Sequence, residues 1–337
     1  MINQKEIARR AGVSEATVSR AFTQNANVKP ATLLKIQNAM KSLGIEPISV
    51  LPATSGPGRR NVMIIVGDMA GEFWAQLIKG ISTRLTQLGL FAVVCNSNYD
   101  SQIEEAHISY AQEQGFLGVI MVSVMANSGL EEKLRQATIP IIFVSRYIRS
   151  LDIDLIAIDN YRGGYIATSY LIQQGHRNIV HLTGEKNSSA PQDRLRGFCD
   201  AMQDAKLPID ASNIFWGANE WEDGYKFVDF IVKRGMPYTA VFSANWPPAV
   251  SAVQQLKKMG YEIPQDLSVI CFDDSPYIDE RGLNLTTVSR EPYLLGIDAV
   301  DVLIRRIENP KSPTQRLLLA PRLILRSSVK TIPPATP

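Results

Sequence analysis

Two rhythms of apolar residues run along this chain. Near its start they fall at helical spacing: Ile7, Ala8 and Ala11 share one face, and Val18, Ala21 and Phe22 line one side of a second segment whose Glu15, Ala16, Ser19 and Arg20 face elsewhere. Asn3 followed by Glu6 has the form of a capping box, Gly12 is placed to end the first helix, and the Ser14 hydroxyl to cap the second. A third helix is predicted with Pro30 in its first turn, Leu33, Ile36, Met40 and Leu43 in helical register, and Gly44 at its end. Two short helices joined at a glycine turn, with a third behind them, form a helix-turn-helix. Composition then shifts, and Pro47, Pro52, Gly56, Pro57 and Gly58 mark residues 47–60 as a linker.

From Asn61 onward the pattern changes to short continuous apolar runs separated by longer amphipathic stretches. Strands are predicted at 62–66, 91–94, 118–123, 141–145, 156–158, 179–182, 240–243, 269–272 and 286–289, with amphipathic segments such as 73–88 and 191–205 between them. Continuous apolar strands interleaved with helices predict parallel α/β sheets covered on both faces, and this many strands over this length suggest two sheets, not one. Ligands of open α/β sheets lie beyond the carboxyl ends of the strands, so the residues just after each strand are the candidates to read.

Charge sharpens the division. The 337 residues carry a net charge of only +2, but residues 1–60 hold nine Lys/Arg against three Asp/Glu, +6, and the remainder 26 against 30, −4. A basic head on a mildly acidic body suits a part that meets phosphate and a part that does not. Cys95, Cys199 and Cys271 are scattered, with no C-x-x-C pair, which argues against a disulfide framework and a zinc site and for a reducing compartment. His107, His176 and His181 lack metal-ligand spacing, and His176 in its GHR turn reads as structural. Neither a G-x-S-x-G elbow, a Walker A loop, a strand-borne G-x-G-x-x-G nor H-E-x-x-H occurs, so no cofactor, no metal and no enzymatic activity are expected. With no apolar leader and no run approaching eighteen apolar residues, the expected location is cytoplasmic, away from membranes.

The run AxxAGVSxxTVSRxx at 8–22 resembles the DNA-reading motif of the lactose-repressor/galactose-repressor (LacI/GalR) family of bacterial transcription regulators. The resemblance continues through 67–81 around Phe73-Trp74, GHRNIVHLTG at 175–184, RLRGF at 194–198 and VICFDD at 269–274, and covers about residues 1–330. It implies an α/β protein with a helix-turn-helix domain at 1–46, a hinge at 47–60, and an effector-binding and dimerisation domain at 61–330 built from two Rossmann-like lobes, as in periplasmic binding proteins. Lobe one would take 61–159 plus 290–320, and lobe two 160–288 plus the final strand. Operator DNA would be read by a homodimer through Ser14, Glu15, Ala16, Thr17, Ser19 and Arg20. A small effector, a sugar or sugar derivative, would meet Phe73, Trp74, Arg146, Arg194, Trp221, Asn245, Asp273 and Arg290. The tail after Arg326 lacks leucine heptads, which fits a dimer and not a tetramer.

Departures from the family pattern open alternatives. Pro52 falls inside the expected hinge helix, Thr54 stands near the usual minor-groove leucine and Leu51 is the substitute wedge, so either the hinge is shorter or the DNA is bent less. Asn245 is followed by Trp246-Pro247-Pro248 where Asn-Asp is usual, and Ser145-Arg146 stands where Asp-Arg is usual. With Arg194 and Arg290, Arg146 would suit a sugar acid or sugar phosphate; the alternative is a neutral sugar, with some of these arginines paired to Asp273 or Asp274. Two other classes fit the sequence less well. An enzyme with an appended head lacks a catalytic motif, and a transport-binding protein would need a signal peptide and would not carry residues 1–46.

Overall fold

The computed structural model describes residues 4–22, 30–43, 60–69, 71–289 and 291–333. Three short helices form the headpiece: α1 (Gln4–Ala11), α2 (Glu15–Phe22) and α3 (Pro30–Ser42). Gly12, at φ 65°, ends α1 in a conformation that costs glycine least. Ser14 opens α2, its Oγ accepting the Thr17 N–H at 3.2 Å. Ile7, Ala8, Ala11, Val18, Ala21, Ile36, Ala39 and Met40 bury against one another, and Arg10 donates to Ser42 Oγ at 2.9 Å, tying the first helix to the end of the third. Glu6 pairs with Arg9 at 2.6 Å. Its expected capping partner Asn3, the helix end at Gly44 and the linker up to Arg59 lie outside the described residues.

The body contains two six-stranded sheets. The chain first runs β1 (Asn61–Val66), α4 (Glu72–Gln87), β2 (Phe91–Asn96), α5 (Ser101–Glu113), β3 (Gly118–Met121), α6 (Ser128–Arg135), β4 (Ile141–Val144) and β5 (Asp154–Ile158). It then crosses to α7 (Asn160–Gln173), β6 (Ile179–Leu182), α8 (Ser189–Asp204), β7 (Ile214–Phe215), α9 (Trp221–Val232), β8 (Ala240–Ser243), α10 (Trp246–Lys258), β9 (Ser268–Phe272), α11 (Pro276–Glu280) and β10 (Thr286–Ser289). α12 (Pro292–Glu308) and β11 (Arg316–Leu319) return to the first sheet, and β12 (Arg322–Ile324) closes the second.

The strand orders are β11-β5-β4-β3-β1-β2 and β12-β10-β9-β8-β6-β7. All pairs are parallel except β12 against β10. Both sheets are covered on both faces, which is why their central strands are apolar without alternation. In lobe one, Leu77, Ile81 and Leu85 of α4 and Leu295, Ala299 and Leu303 of α12 cover one face; Ile108, Ala111, Leu130 and Leu134 cover the other. α4 and α12 approach so closely that a Cβ on Gly80 would sit 2.1 Å from the Tyr293 carbonyl oxygen. In lobe two, Phe227, Val228, Ile231, Val250 and Val253 pack on one face and Leu171, Phe198 and Met202 on the other. Among the described residues no helix is long and apolar enough to cross a membrane, and no cluster of metal-ligating side chains occurs.

Candidate functional site

On the headpiece, Val18 and Ala21 anchor α2 in the core, so the opposite side of that helix is presented outward. Ser14, Glu15 and Ala16 are exposed at its start, and Thr17 and Ser19 are half-buried behind them. Arg20 lies on the same helix, its side chain outside the described part. A short helix held from behind and opened by a capping serine has the geometry that enters a major groove with its N-terminal residues on base edges.

The carboxyl ends of both sheets converge on a cleft. On the lobe-one side, Trp74 is 9% exposed and sits edge-on to Phe73, with ring centroids 4.6 Å apart. The Arg146 guanidinium lies 5.9 Å from the Trp74 ring and 5.4 Å from that of Tyr99, and the Tyr99 hydroxyl accepts from the Trp74 indole. Burial raises the Tyr99 phenol above its ordinary range. Across the mouth, Glu220 is raised by burial and then by the nearby Asp68 carboxylate.

Behind this wall Glu104 is buried, and burial pushes its carboxyl up to about 7. Ser97 Oγ lies 3.1 Å from Glu104 Oε1 and 3.2 Å from the Val66 carbonyl oxygen. The Ser97 hydroxyl donates to the Glu104 carboxylate, which works against the rise that burial causes.

On the lobe-two side, Asp273 follows β9 at φ 70°, is 8% exposed and donates its backbone N–H to Val288 O at 2.9 Å. Its neighbour Asp274 is bound by both guanidinium nitrogens of Arg326, at 2.9 and 3.1 Å. Arg194 is 2% exposed; it donates to Asn160 Oδ1 at 2.9 Å, to the Ala244 carbonyl and to Asn245 Oδ1 at 3.4 Å, and lies 3.6 Å above the Phe272 ring. The Asn245 amide in turn donates to Ala218 O at 2.9 Å and Asn219 Oδ1 at 3.3 Å. The partner that a polar strand-end residue needs is therefore supplied, for Asn245, by lobe two itself. Trp221 donates its indole N–H to Tyr225 and meets Trp246 edge-on at 6.2 Å.

Between the lobes lies a cavity of about 30 Å³, walled by Glu72, Phe73 and Gln76 at the start of α4, by Trp246, Asp273 and Asp274, and by Pro292 on the returning crossing. That is room for about one or two waters, not a sugar ring. Direct bonds hold the lobes at this spacing. Ser275 Oγ donates to Glu72 at 2.6 Å. On the other flank the Tyr147 N–H donates to Ser189 Oγ at 2.9 Å, its hydroxyl to Asp193 at 2.9 Å, and Arg149 pairs with the same carboxylate.

Of the residues expected from sequence, Phe73 and Asp273 share the cavity, Trp74 stacks with Arg146, and Arg194 with Asn245 forms the buried base of lobe two. Trp74 meets the wall residue Phe73 edge-on, Arg194 lies over Phe272, which precedes Asp273, and Trp221 meets Trp246. Arg290 lies outside the described residues. Sequence reasoning missed Glu72, Gln76 and Trp246 as wall residues. Glu72 adjoins Phe73, whereas Trp246 opens α10 three residues past the end of β8.

An outward-facing reading helix carried by a body whose two lobes clasp a cavity at their strand ends is the build of a DNA-binding regulator controlled by a small molecule. Residues 4–47 match the bacterial regulatory proteins of the lacI family, and residues 168–329 match the periplasmic binding protein-like domain. The chain is 30% identical over 336 residues to the HTH-type transcriptional repressor PurR of Haemophilus influenzae (strain PittEE), covering 98% of this chain and 100% of the relative. It is 29% identical over 331 residues to the HTH-type transcriptional regulator DegA of Bacillus subtilis (strain 168), covering 97% and 98%. Its structure is similar to the transcriptional regulator CelR–cellobiose complex, with a TM-score of 0.75 and 26% identity over 97% of this chain and 100% of that one. Its fold is likewise that of the lac repressor dimer bound to operator and the anti-inducer ONPF, at TM-score 0.75 and 22% identity over 98% and 99%. The chain belongs to the lacI family of bacterial regulatory proteins. It is a transcription regulator with a DNA-binding headpiece and an effector-binding body, and not an enzyme.

Proposed function

We propose that this regulator responds to a neutral, polyhydroxylated effector, a sugar, and that it binds a two-fold symmetric operator as a homodimer in the cytoplasm. Residues 1–46 serve as the reading domain, 47–60 as the hinge and 61–330 as the effector and dimerisation domain. Ser14, Glu15, Ala16, Thr17, Ser19 and Arg20 form the reading set. Phe73, Asp273 and Trp246 touch the effector, with Trp74, Arg146, Arg194, Trp221, Asn245 and Arg290 shaping the site around them.

The observation carrying this reading is the composition of the cavity wall. Glu72, Asp273 and Asp274 supply three carboxylates, Phe73 and Trp246 two aromatic surfaces, and no lysine or arginine is among the described wall residues. With Asp274 paired to Arg326, a sugar acid or sugar phosphate would meet the like charge of Glu72 and Asp273, whereas hydroxyl groups donate to carboxylates and the C–H faces of a sugar ring lie against aromatic rings. Arg326 is committed to Asp274, and Arg194 donates to Asn160, Ala244 and Asn245 within its own lobe. The similarity to a regulator seen with cellobiose points the same way.

A thermal-shift screen of neutral sugars, sugar acids, sugar phosphates and nucleosides tests this directly. A ligand at a hundred times its Kd stabilises the folded chain by about 2.7 kcal/mol, and a neutral sugar is expected to do so. Stabilisation by anionic compounds alone would overturn the effector assignment.

A further inference from the structure

The turn between β2 and α5 carries Tyr99 to the cleft, and a buried carboxyl holds that turn from behind. Asn98 and Tyr99 both lie in the left-handed region, at φ 51° and 60°. For residues other than glycine that conformation is costly and persists only where the surroundings fix it. Ser97 opens the turn from a fully buried position, its N–H donating to Val66 O at 2.7 Å and its hydroxyl to Glu104 Oε1 at 3.1 Å. Asp100 closes it by accepting the Gln102 N–H at 2.8 Å. Between them, Tyr99 takes the Trp74 indole N–H and lies under the Arg146 guanidinium. Glu104 is thus joined to the aromatic wall through one serine and one turn.

Glu104 is 1% exposed, and its second oxygen, Oε2, has no hydrogen-bond partner among the described residues. On the α5 side of the sheet, β1 contributes Met63 and Ile65, β2 Cys95, β3 Met121 and α6 Leu130. Of these only the Cys95 thiol titrates, and burial raises it. On the same helix Glu105 reaches toward Gly129, and His107 stands three residues along. The charges acting on Glu104 are Arg146, which favours its ionised form, and Asp100, which opposes it; burial outweighs the arginine and brings the carboxyl to about 7. A buried carboxyl oxygen without a partner, close to a guanidinium and able to ionise near neutrality, is unused binding capacity.

We infer that Glu104 is a positioning residue of the effector wall whose proton sets where Arg146 stands. Protonated, it leaves the guanidinium against the Trp74 and Tyr99 rings, at 5.9 and 5.4 Å. Ionised, its proton lost to solvent, it draws the guanidinium inward to Oε2 and off both rings. The wall therefore presents a cation at lower pH and bare aromatic surface at higher pH. This rests on the reading above only in placing Trp74 and Arg146 beside the effector, and not on what the effector is.

The test is tryptophan emission of the full chain, without added ligand, from pH 5.5 to pH 8.5, on wild type, Glu104→Gln, Arg146→Met and Trp74→Phe. Wild type is expected to show a transition centred near pH 7. Trp74→Phe should lose it, because Trp216, Trp221 and Trp246 all belong to lobe two. Glu104→Gln should keep the low-pH emission throughout, and Arg146→Met should be flat as well. Thermal melts confirm that each variant is folded; if Glu104→Gln were not, the cleft-side Arg146→Met would decide. A flat wild type, or a transition that survives in Glu104→Gln or Arg146→Met, would overturn the inference. A purely structural Glu104 would lower Tm on substitution and leave the pH transition in place. Either of these failures leaves the sugar assignment standing, and a failed sugar screen leaves the transition untouched.

Discussion

Asp193 joins the lobes on the flank away from Glu72, and replacing it by asparagine should loosen them by a measurable amount. Its side chain is 9% exposed and takes the Tyr147 hydroxyl at 2.9 Å, Arg149, and Arg196 at 3.0 Å. Arg196 stands three residues along the same helix, so its contact survives lobe opening and cancels. Arg149 is about half exposed, which holds that pair to about 0.5–1 kcal/mol. Asparagine still accepts from Tyr147 but without charge, a loss of about 1 kcal/mol. The closed arrangement is therefore weakened by about 1.5–2 kcal/mol, or roughly 10–30-fold. The Tyr147 N–H reports on this, because it donates to Ser189 across the gap. Hydrogen-exchange mass spectrometry should show peptides containing Tyr147 exchanging faster by that factor in Asp193→Asn, with Tyr147→Phe giving a smaller increase. Unchanged protection at Tyr147 would show that this contact does not govern lobe opening.

Two buried titrating groups should give the fold opposite pH slopes. His181 lies between Phe198 and Phe242, and burial lowers it to about 3. Below its ordinary value of about 6.5 the unfolded chain takes a proton that the native state refuses, so its contribution is full above that pH and falls on acidification, by about 2 kcal/mol at pH 5. Thermal melts of His181→Phe between pH 7 and pH 5 should have a shallower slope than wild type; an unchanged slope would refute this. Glu104 behaves in the reverse sense: its folded value, about 7, exceeds the unfolded one of about 4.3, so stability is lost as pH rises between them. Glu104→Gln, which removes the charge and keeps the shape, should raise Tm more at pH 8 than at pH 5, and a uniform change would count against a raised Glu104 carboxyl.

The parts of this fold that could be read in advance were those where burial is two-sided. Strands such as Val62–Val66 and Ile141–Val144 are apolar at every position because helices cover both faces. The strands that the apolar pattern missed lie at the sheet edges, and the last of them was expected only as the final strand that the resemblance implies. Ile214–Phe215 is only two residues long, Arg316–Leu319 has its first three residues exposed, and Arg322–Ile324 is antiparallel and half-exposed. In the cleft, position relative to the strands identified Asp273 and Phe73, because a strand end is local in sequence. Which partner a side chain finds is not local. Asn245 turns into its own lobe toward Ala218, and Arg194 spends its donors on Asn160 and Ala244. Trp246 was read only as a departure from a family pattern, since no local signal says that an indole at a helix start faces another lobe.

The account rests most heavily on the claim that a ligand bound at Asp273 controls operator affinity. The measurement is fluorescence-anisotropy titration of an operator duplex selected from random DNA, with and without the sugar that most stabilises the protein, on wild type and Asp273→Ala. Coupling of about 1–3 kcal/mol should change wild-type operator affinity by about 5–150-fold on adding sugar. Asp273→Ala should bind operator as tightly as unliganded wild type and ignore the sugar. An Asp273→Ala protein whose operator affinity still responds to the same sugar at the same concentration would contradict the account.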